Sequence, residues 1–147
     1  MDQKPTPPET KSNYRLDEQV GFLLRLASQR HAVIFQKHIG DDLTSTQFAT
    51  LMRVAEHGEV SQNHLGRLAA MDGATVKGVV DRLKQKKLLL TRSDPSDKRL
   101  SIISLTQEGV ELMTFLEQKG LAITRETLLP LKPTEQKRFL ELLLKLS

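Results

Sequence analysis

The stretch TVKGVVDRLKQKKLLLTRSDPSDKRLSIISL, Thr75 to Leu105, decides the fold because its hydrophobic period changes halfway along. In the first half Val76, Val79, Val80 and Leu83 recur at i, i+3, i+4 and i+7, the stripe of an amphipathic helix. From Leu88 onward that period is gone. Leu88 to Ser93 and Leu100 to Leu105 are short β-prone runs, and Asp94-Pro95-Ser96-Asp97-Lys98 between them has turn chemistry. The reading is a helix followed at once by a hairpin with a charged tip.

Working toward the N-terminus, Ser61 is placed to cap a short helix with Leu65, Leu68 and Ala69 inward, broken at Met71–Gly73. Before it, Thr44 and Gln47 have capping-box spacing, Phe48, Leu51, Met52 and Ala55 form a stripe, and Gly58 stops the helix. The first helix runs from about Asp17 to His38. Its apolar face is Val20, Leu23, Leu24, Ala27, His31, Ile34, Phe35 and His38, with Asp17 and Glu18 at the positive end of the dipole and Gly40 as the stop.

Toward the C-terminus, Thr106 caps a long helix carrying Val110, Met113, Phe115 and Leu116 and reaching about Leu128. Pro133 opens a last helix, rich in leucine from Phe139 to Leu146. That helix has more apolar surface than a small monomer can hide, which predicts a homodimer. The fold class is therefore mainly α with a small β-hairpin wing: a winged helix-turn-helix domain flanked by leucine-rich N- and C-terminal helices. Residues 1–14, polar and carrying Pro5, Pro7 and Pro8, read as a flexible tail. Residues 15–147 form a single domain. Its winged lobe covers about 44–105 and its flanking helices about 15–39 and 106–147.

Composition removes several classes of function. The chain has no cysteine, which excludes a disulfide framework, a zinc finger and a thiol redox switch and fits a reducing cytoplasm. No apolar run approaches the roughly 18 residues of a membrane span, and the first residues lack the apolar core of a signal peptide. His31, His38, His57 and His64 show no metal-ligand spacing, and no phosphate loop or nucleophile elbow is present. We expect no catalytic residue, metal or cofactor. His31 and His38 read as core or dimer-interface residues.

Charge is unevenly spread. Between Ser61 and Arg99 nine Lys/Arg face four Asp, so that segment nets +5 in a chain that nets +4. A basic block inside a folded region is a footprint for polyphosphate. In a helix-turn-helix the second helix enters the major groove. Here that is Thr75 to Gln85, with Ser61 to Ala70 as its partner. Its outer face presents Thr75, Lys77, Gly78, Asp81 and Arg82. Thr75 can meet a base edge or thymine methyl, and Lys77 and Arg82 can reach guanine or phosphate. Gly78 costs about 1 kcal/mol against Ala in a helix interior. Close approach to DNA and a close helix–helix contact both account for it. The wing offers Arg92, Lys98 and Arg99, and a basic hairpin can push an Arg into the minor groove. Asp97 and Arg99 also make a turn-stabilising pair, and the carboxylate can hold the Arg ready. The partner is thus duplex DNA with an inverted-repeat operator, matched to a two-fold dimer.

Val79-Val80-Asp81-Arg82-Leu83, Leu88-Leu89, the Asp-Pro-x-Asp-x-Arg wing, and Ser104-Leu105-Thr106 followed by Gly109 together resemble the MarR family of winged-helix regulators over roughly Asp17 to Leu146. The resemblance implies a triangular dimer held by its first and last helices, with one reading helix and one wing per subunit, and repression by occlusion. The family's wing Asp and Arg match Asp97 and Arg99, with the Arg entering the minor groove. The start of the reading helix matches Asp72 to Lys77. Many members carry a Ser and a basic residue where this chain has Ala74 and Gly78. Ser61 and Gln62, at the start of the partner helix, complete the candidate DNA-binding set. The segment Leu16 to Arg25, continuing to Gln29-Arg30-His31, is similar to members controlling aromatic or nicotinate-type acid catabolism. A peroxide-sensing branch uses a reactive cysteine, which this chain lacks.

Many members respond to small aromatic acids held where the dimerisation helices meet the DNA-binding lobe. Phe22, Arg25, Leu26 and Gln29 share one face of the first helix. They offer an aromatic wall, a guanidinium for a carboxylate and an amide for a ring heteroatom. Phe48, Met52 and His57 complete the expected effector pocket. Arg25 as an ordinary surface or salt-bridge residue is the competing reading. The rival for the whole chain is a winged-helix adaptor that contacts only proteins, which has no need to concentrate positive charge.

Overall fold

The fold follows from where each helix is started and stopped. A computed structural model of the chain describes residues 2–7 and 12–147, so Met1 and residues 8–11 of the expected tail lie outside the described residues. Residues 2–7 and 12–15 form no helix or strand. After a short 3-10 turn, Leu16–Glu18, come α1 (Val20–Ile39), α2 (Ser45–His57), β1 (Glu59–Ser61), α3 (Gln62–Leu68) and α4 (Gly73–Gln85). They are followed by β2 (Leu89–Ser93), β3 (Ser101–Leu105), α5 (Gln107–Leu128) and α6 (Pro133–Lys145).

The caps are those the side chains dictate. Thr44 Oγ1 accepts from Gln47 N and Gln47 Oε1 accepts from Thr44 N, both at 3.1 Å, closing the capping box of α2. Ser61, Asp72 and Thr106 accept from His64 N, Thr75 N and Gly109 N and so start α3, α4 and α5. Gly40 and Gly58 end α1 and α2 at φ 74° and 75°, a region open to glycine at no steric cost.

The strands form one antiparallel sheet in the order β1-β3-β2. Leu89 faces Leu105 and Ser93 faces Ser101, which leaves residues 94–100 as the wing tip. Strand β1 was not expected. Its three residues pair with Ser104, Ile103 and Ile102, more than 40 residues away in sequence. No local pattern announces so short a strand. Ser61 still caps α3 as expected, so it ends the strand and starts the helix.

The main core unites Leu51, Val54, Leu65, Val76, Val80, Leu83, Leu89, Ile103, Met113 and Leu116. On α2 the fully buried residues are Gln47, Thr50, Leu51 and Val54, whereas Phe48, Met52 and Ala55 of the expected stripe are only half-buried. Gln47 and Thr50 tolerate burial because the capping box and a Thr50 Oγ1 bond to Thr46 O (2.7 Å) satisfy their polar atoms.

A second, small cluster joins Ile34, Phe35 and Ile123, with Phe35 edge-on to Phe48 at 5.7 Å. Only Ile34 and Phe35 of the expected α1 stripe are buried, and Val20, Leu23 and Leu24 are 43–64% exposed. Helix α6 buries no residue at all. Both helices are amphipathic, and among the described residues most of their apolar faces stays uncovered in one chain.

Candidate nucleic-acid interface and effector groove

At the wing tip, Asp94 Oδ1 accepts from Ser96 N (2.8 Å) and Ser96 Oγ (2.7 Å), which sets the turn. Asp97 then takes Arg99. Its Oδ1 accepts from the Arg99 Nε and backbone N, both at 3.1 Å, and its Oδ2 from a terminal guanidinium N at 3.3 Å. These Arg99 bonds hold the Asp97 carboxyl below its ordinary range, with the side-chain bond the larger effect. The Arg99 side chain is nonetheless 90% exposed. The guanidinium is oriented from behind and open in front. Lys98 beside it is exposed. Arg92 is differently placed: its guanidinium donates to Glu59 Oε2 at 2.9 Å from across the sheet, so the wing base and β1 share an ion pair.

On α4, Val76, Val80 and Leu83 are buried while Ala74, Thr75, Lys77, Gly78 and Arg82 are exposed. Asp72 accepts from Thr75 N at 2.7 Å, and this bond leads the effects that lower its carboxyl pKa. A Cβ placed on Gly78 would meet nothing within 4 Å. Among the described residues, a close helix–helix contact is therefore not the reason for this glycine. Ser61 and Gln62 are half-buried, and Ser61 already serves as a cap. The result is one exposed helix face with two cations and no bulk at its centre, and a cationic wing on the same lobe.

The six effector candidates are not brought together within one chain. Phe22 precedes Phe35, the neighbour of Phe48, by 13 residues, which is about 20 Å along a helix at 1.5 Å per residue. Arg25 and Gln29 are exposed on that same distant half of α1. His57 is exposed at the far end of α2, where it stacks edge-on with His64 at 5.6 Å. Phe22, Arg25 and Gln29 belong to one helix, and the length of α1 separates its outer half from α2 within one chain.

The chain instead offers a groove of about 830 Å³ between α1, the α1–α2 loop, the end of α5 and α6. Leu24, Ala27, Phe35, Leu128, Phe139 and Leu140 make its apolar walls. Its polar groups include Ser28, Thr124, Thr127, His31 and the start of α2 at Thr44 and Ser45. His31 Nδ1 and Thr127 Oγ1 share a hydrogen bond of 2.9 Å. Beside it, Arg30 donates to the carbonyls of Thr127 (2.7 Å) and Glu126 (3.0 Å), a cation at the negative end of α5. Lys37 and His38 both donate to the Glu126 carboxylate at 2.6 Å, and their bonds, Lys37 first, hold its pKa down. This clasp escaped the sequence reading because its partners lie about 90 residues apart. Arg30 enters the sequence analysis only through the family-like segment, whereas His31 also stands on the apolar face of α1 and is read there as a core or dimer-interface residue; it is exposed.

A sequence profile of the MarR family matches residues 41–100. The transcriptional repressor NicR of Pseudomonas putida is 44% identical over 117 residues, which cover 77% of this chain and 74% of that one. The crystal structure of a probable transcriptional regulator from Pseudomonas aeruginosa is 45% identical with a TM-score of 0.87, covering 90% of this chain and all of that one. BpsR of Bordetella bronchiseptica is 39% identical with a TM-score of 0.87, covering 92% and 97% of the two chains. Its structure was solved for the regulation of its DNA binding by 6-hydroxynicotinic acid.

Proposed function

Since this chain belongs to the MarR family, we propose that it is a homodimeric, operator-binding transcriptional repressor that a small aromatic acid releases from DNA. The observation that carries the reading is the exposed face of α4, Thr75, Lys77, Gly78 and Arg82, on one lobe with an Arg99 that Asp97 orients and leaves 90% open. The α4 residues read base edges and phosphates in the major groove, with Ala74 and the α4 start at Asp72 seated against the backbone. Arg99 enters the minor groove, with Lys98 on the flanking phosphates. Ser61, Gln62 and Arg92 hold the frame of this surface, Arg92 through Glu59.

The bare positions of α1 and α6 outside the groove, among them Val20, Leu23, Leu142 and Leu144, are the dimer surface. A two-fold pair brings the reading helices to successive major grooves, about 34 Å apart, on an inverted repeat. The histidines serve structure and ligand, not catalysis, and the protein works in the cytoplasm beside its DNA.

The groove suits the effector better than the six residues first grouped. Its walls take a ring, the His31–Thr127 pair offers hydrogen bonds, and the start of α2 favours a carboxylate. The relation to NicR and BpsR points to nicotinate-like acids. The test has two steps. An operator is first selected from random duplexes and its affinity measured by fluorescence anisotropy; 6-hydroxynicotinate, nicotinate and hydroxybenzoates are then titrated into the complex. Release by one of them, lost in His31→Ala and kept in Arg25→Ala, is expected. Failure to enrich any inverted repeat sinks the DNA reading and favours a protein adaptor. Release abolished by Arg25→Ala and untouched by His31→Ala returns the site to the outer half of α1.

A further inference from the structure

Leu43, in the loop between α1 and α2, lines two cavities at once. On one side is the groove just described. On the other is a smaller cavity of about 390 Å³, walled by Ile39, Leu88, Leu112, Phe115 and Leu116, with Asp42 and Lys86 also lining it. Leu43 itself is 6% exposed, so it acts as a partition. Lys86 is the C-cap residue of α4, and its ammonium donates to the Asp42 backbone carbonyl. Three consecutive loop residues therefore connect the groove to the reading helix. Asp41 lines the groove, Asp42 holds Lys86, and Leu43 separates the cavities.

A packed interior moves only where there is room to move into. The middle of α2 has none: Leu51 and Val54 are fully buried in the main core. The loop has room, because the smaller cavity lies behind Leu43. Gly40, at φ 74°, begins the loop, and Asp41 and Asp42 are exposed.

We propose that Lys86 is a positioning residue that couples the groove to the reading helix. An occupant of the groove presses Leu43 toward the smaller cavity. The Asp42 carbonyl moves with it, and through Lys86 the end of α4 shifts away from its DNA-binding pose. The inference rests on the groove being the effector site. Linkage makes the coupling reciprocal, so DNA weakens groove occupancy by the same factor.

The chain has no cysteine, so Thr124→Cys in the groove wall supplies a single thiol per protomer. Alkylation with a bulky aromatic maleimide then fills the groove without any knowledge of the natural acid. Operator affinity is measured before and after labelling in three backgrounds: Lys86, Lys86→Met, which keeps the apolar stem and removes the donor, and Lys86→Arg, which keeps a donor. Labelling is expected to weaken operator binding tenfold or more with Lys86 and with Lys86→Arg, and less than threefold with Lys86→Met. A purely structural role for Lys86 would change the unlabelled affinity and leave the labelled-to-unlabelled ratio alone. The same ratio in all three backgrounds, or no loss on labelling with Lys86, overturns the proposal. Failure of the effector reading shows instead in the acid titration of the unlabelled protein.

Discussion

Gly78→Ala should move stability and operator affinity in opposite directions. The residue is the sixth of thirteen in α4, and a Cβ there meets nothing within 4 Å. In an isolated protomer the substitution therefore removes only the entropic cost of a helical glycine, about 0.5–1 kcal/mol. For a chain of this size that raises the melting temperature by about 1–4 °C. Against DNA the new methyl occupies the centre of the face that carries Thr75, Lys77 and Arg82. Pushing that face back from the base edges by the depth of a methyl forfeits the equivalent of one good base contact, about 1–3 kcal/mol. That corresponds to roughly 5- to 150-fold in affinity. The loss should be confined to the operator, because phosphate contacts made by long side chains adapt to the shift. The assay pairs a thermal melt of free protein with anisotropy titrations on operator and random duplex. A variant that melts higher and binds the operator as tightly as the parent would refute the close-approach argument. One that melts lower would show that the site is not open in the way the structure indicates.

Arg99→Ala should weaken operator binding by about 1–3 kcal/mol, and Asp97→Ala by less, since the guanidinium remains and loses only its orientation; equal gel-shift affinities for Arg99→Ala and parent would remove the wing Arg from the interface. The Asp72 carboxyl sits below its ordinary 3.8 because it accepts from Thr75, so its capping stabilises the fold above that pH and is lost as pH falls through the lower folded value. Asp72→Asn keeps the cap and should flatten stability below about pH 4, as denaturant melts across pH 3–6 would show; an unchanged slope would assign the acid sensitivity elsewhere. Leu144 is 75% exposed on α6, so Leu144→Asp should cost an isolated protomer little and yet give monomers in sedimentation, with operator binding lost. A stable dimer of that variant would move the interface off this end of α6.

What could be read without the structure was what is local. The Thr44–Gln47 box, the Asp94–Lys98 turn, the Pro133 start and the α4 stripe each depend on residues a few positions apart, and each sits where its chemistry requires. Burial was legible only where a helix packs against its own chain. Val20 and Leu144 have the periodicity of core residues, yet periodicity does not say which molecule supplies the other half of the core. The effector residues lie apart within one chain for a geometric reason: Phe22 and Phe48 each lie on an apolar face, but the length of α1 separates them. The Lys86–Asp42 bond and the Glu126 clasp join distant segments through single side chains, and nothing near either end in sequence marks them.

Gly109 marks the joint between the reading end and α5. Its missing Cβ lets the Leu88 carbonyl sit against it, and Thr106 donates its N–H to Leu88 O (3.0 Å) and its hydroxyl to Lys87 O (2.6 Å). Residues 87 and 88 directly follow α4, so these bonds tie α5 to the base of the reading helix. At 22 residues, α5 is a rod of about 33 Å. A tilt of about 5° at its far end, where α1 and α6 meet it, sweeps the fastened end by about 3 Å, close to the 3.4 Å rise of one base step. In the proposed dimer α5 is thus a lever arm. The distance between the two heads is set by an angle at the distal hinge, and a small adjustment there suffices to put both heads out of step with the duplex.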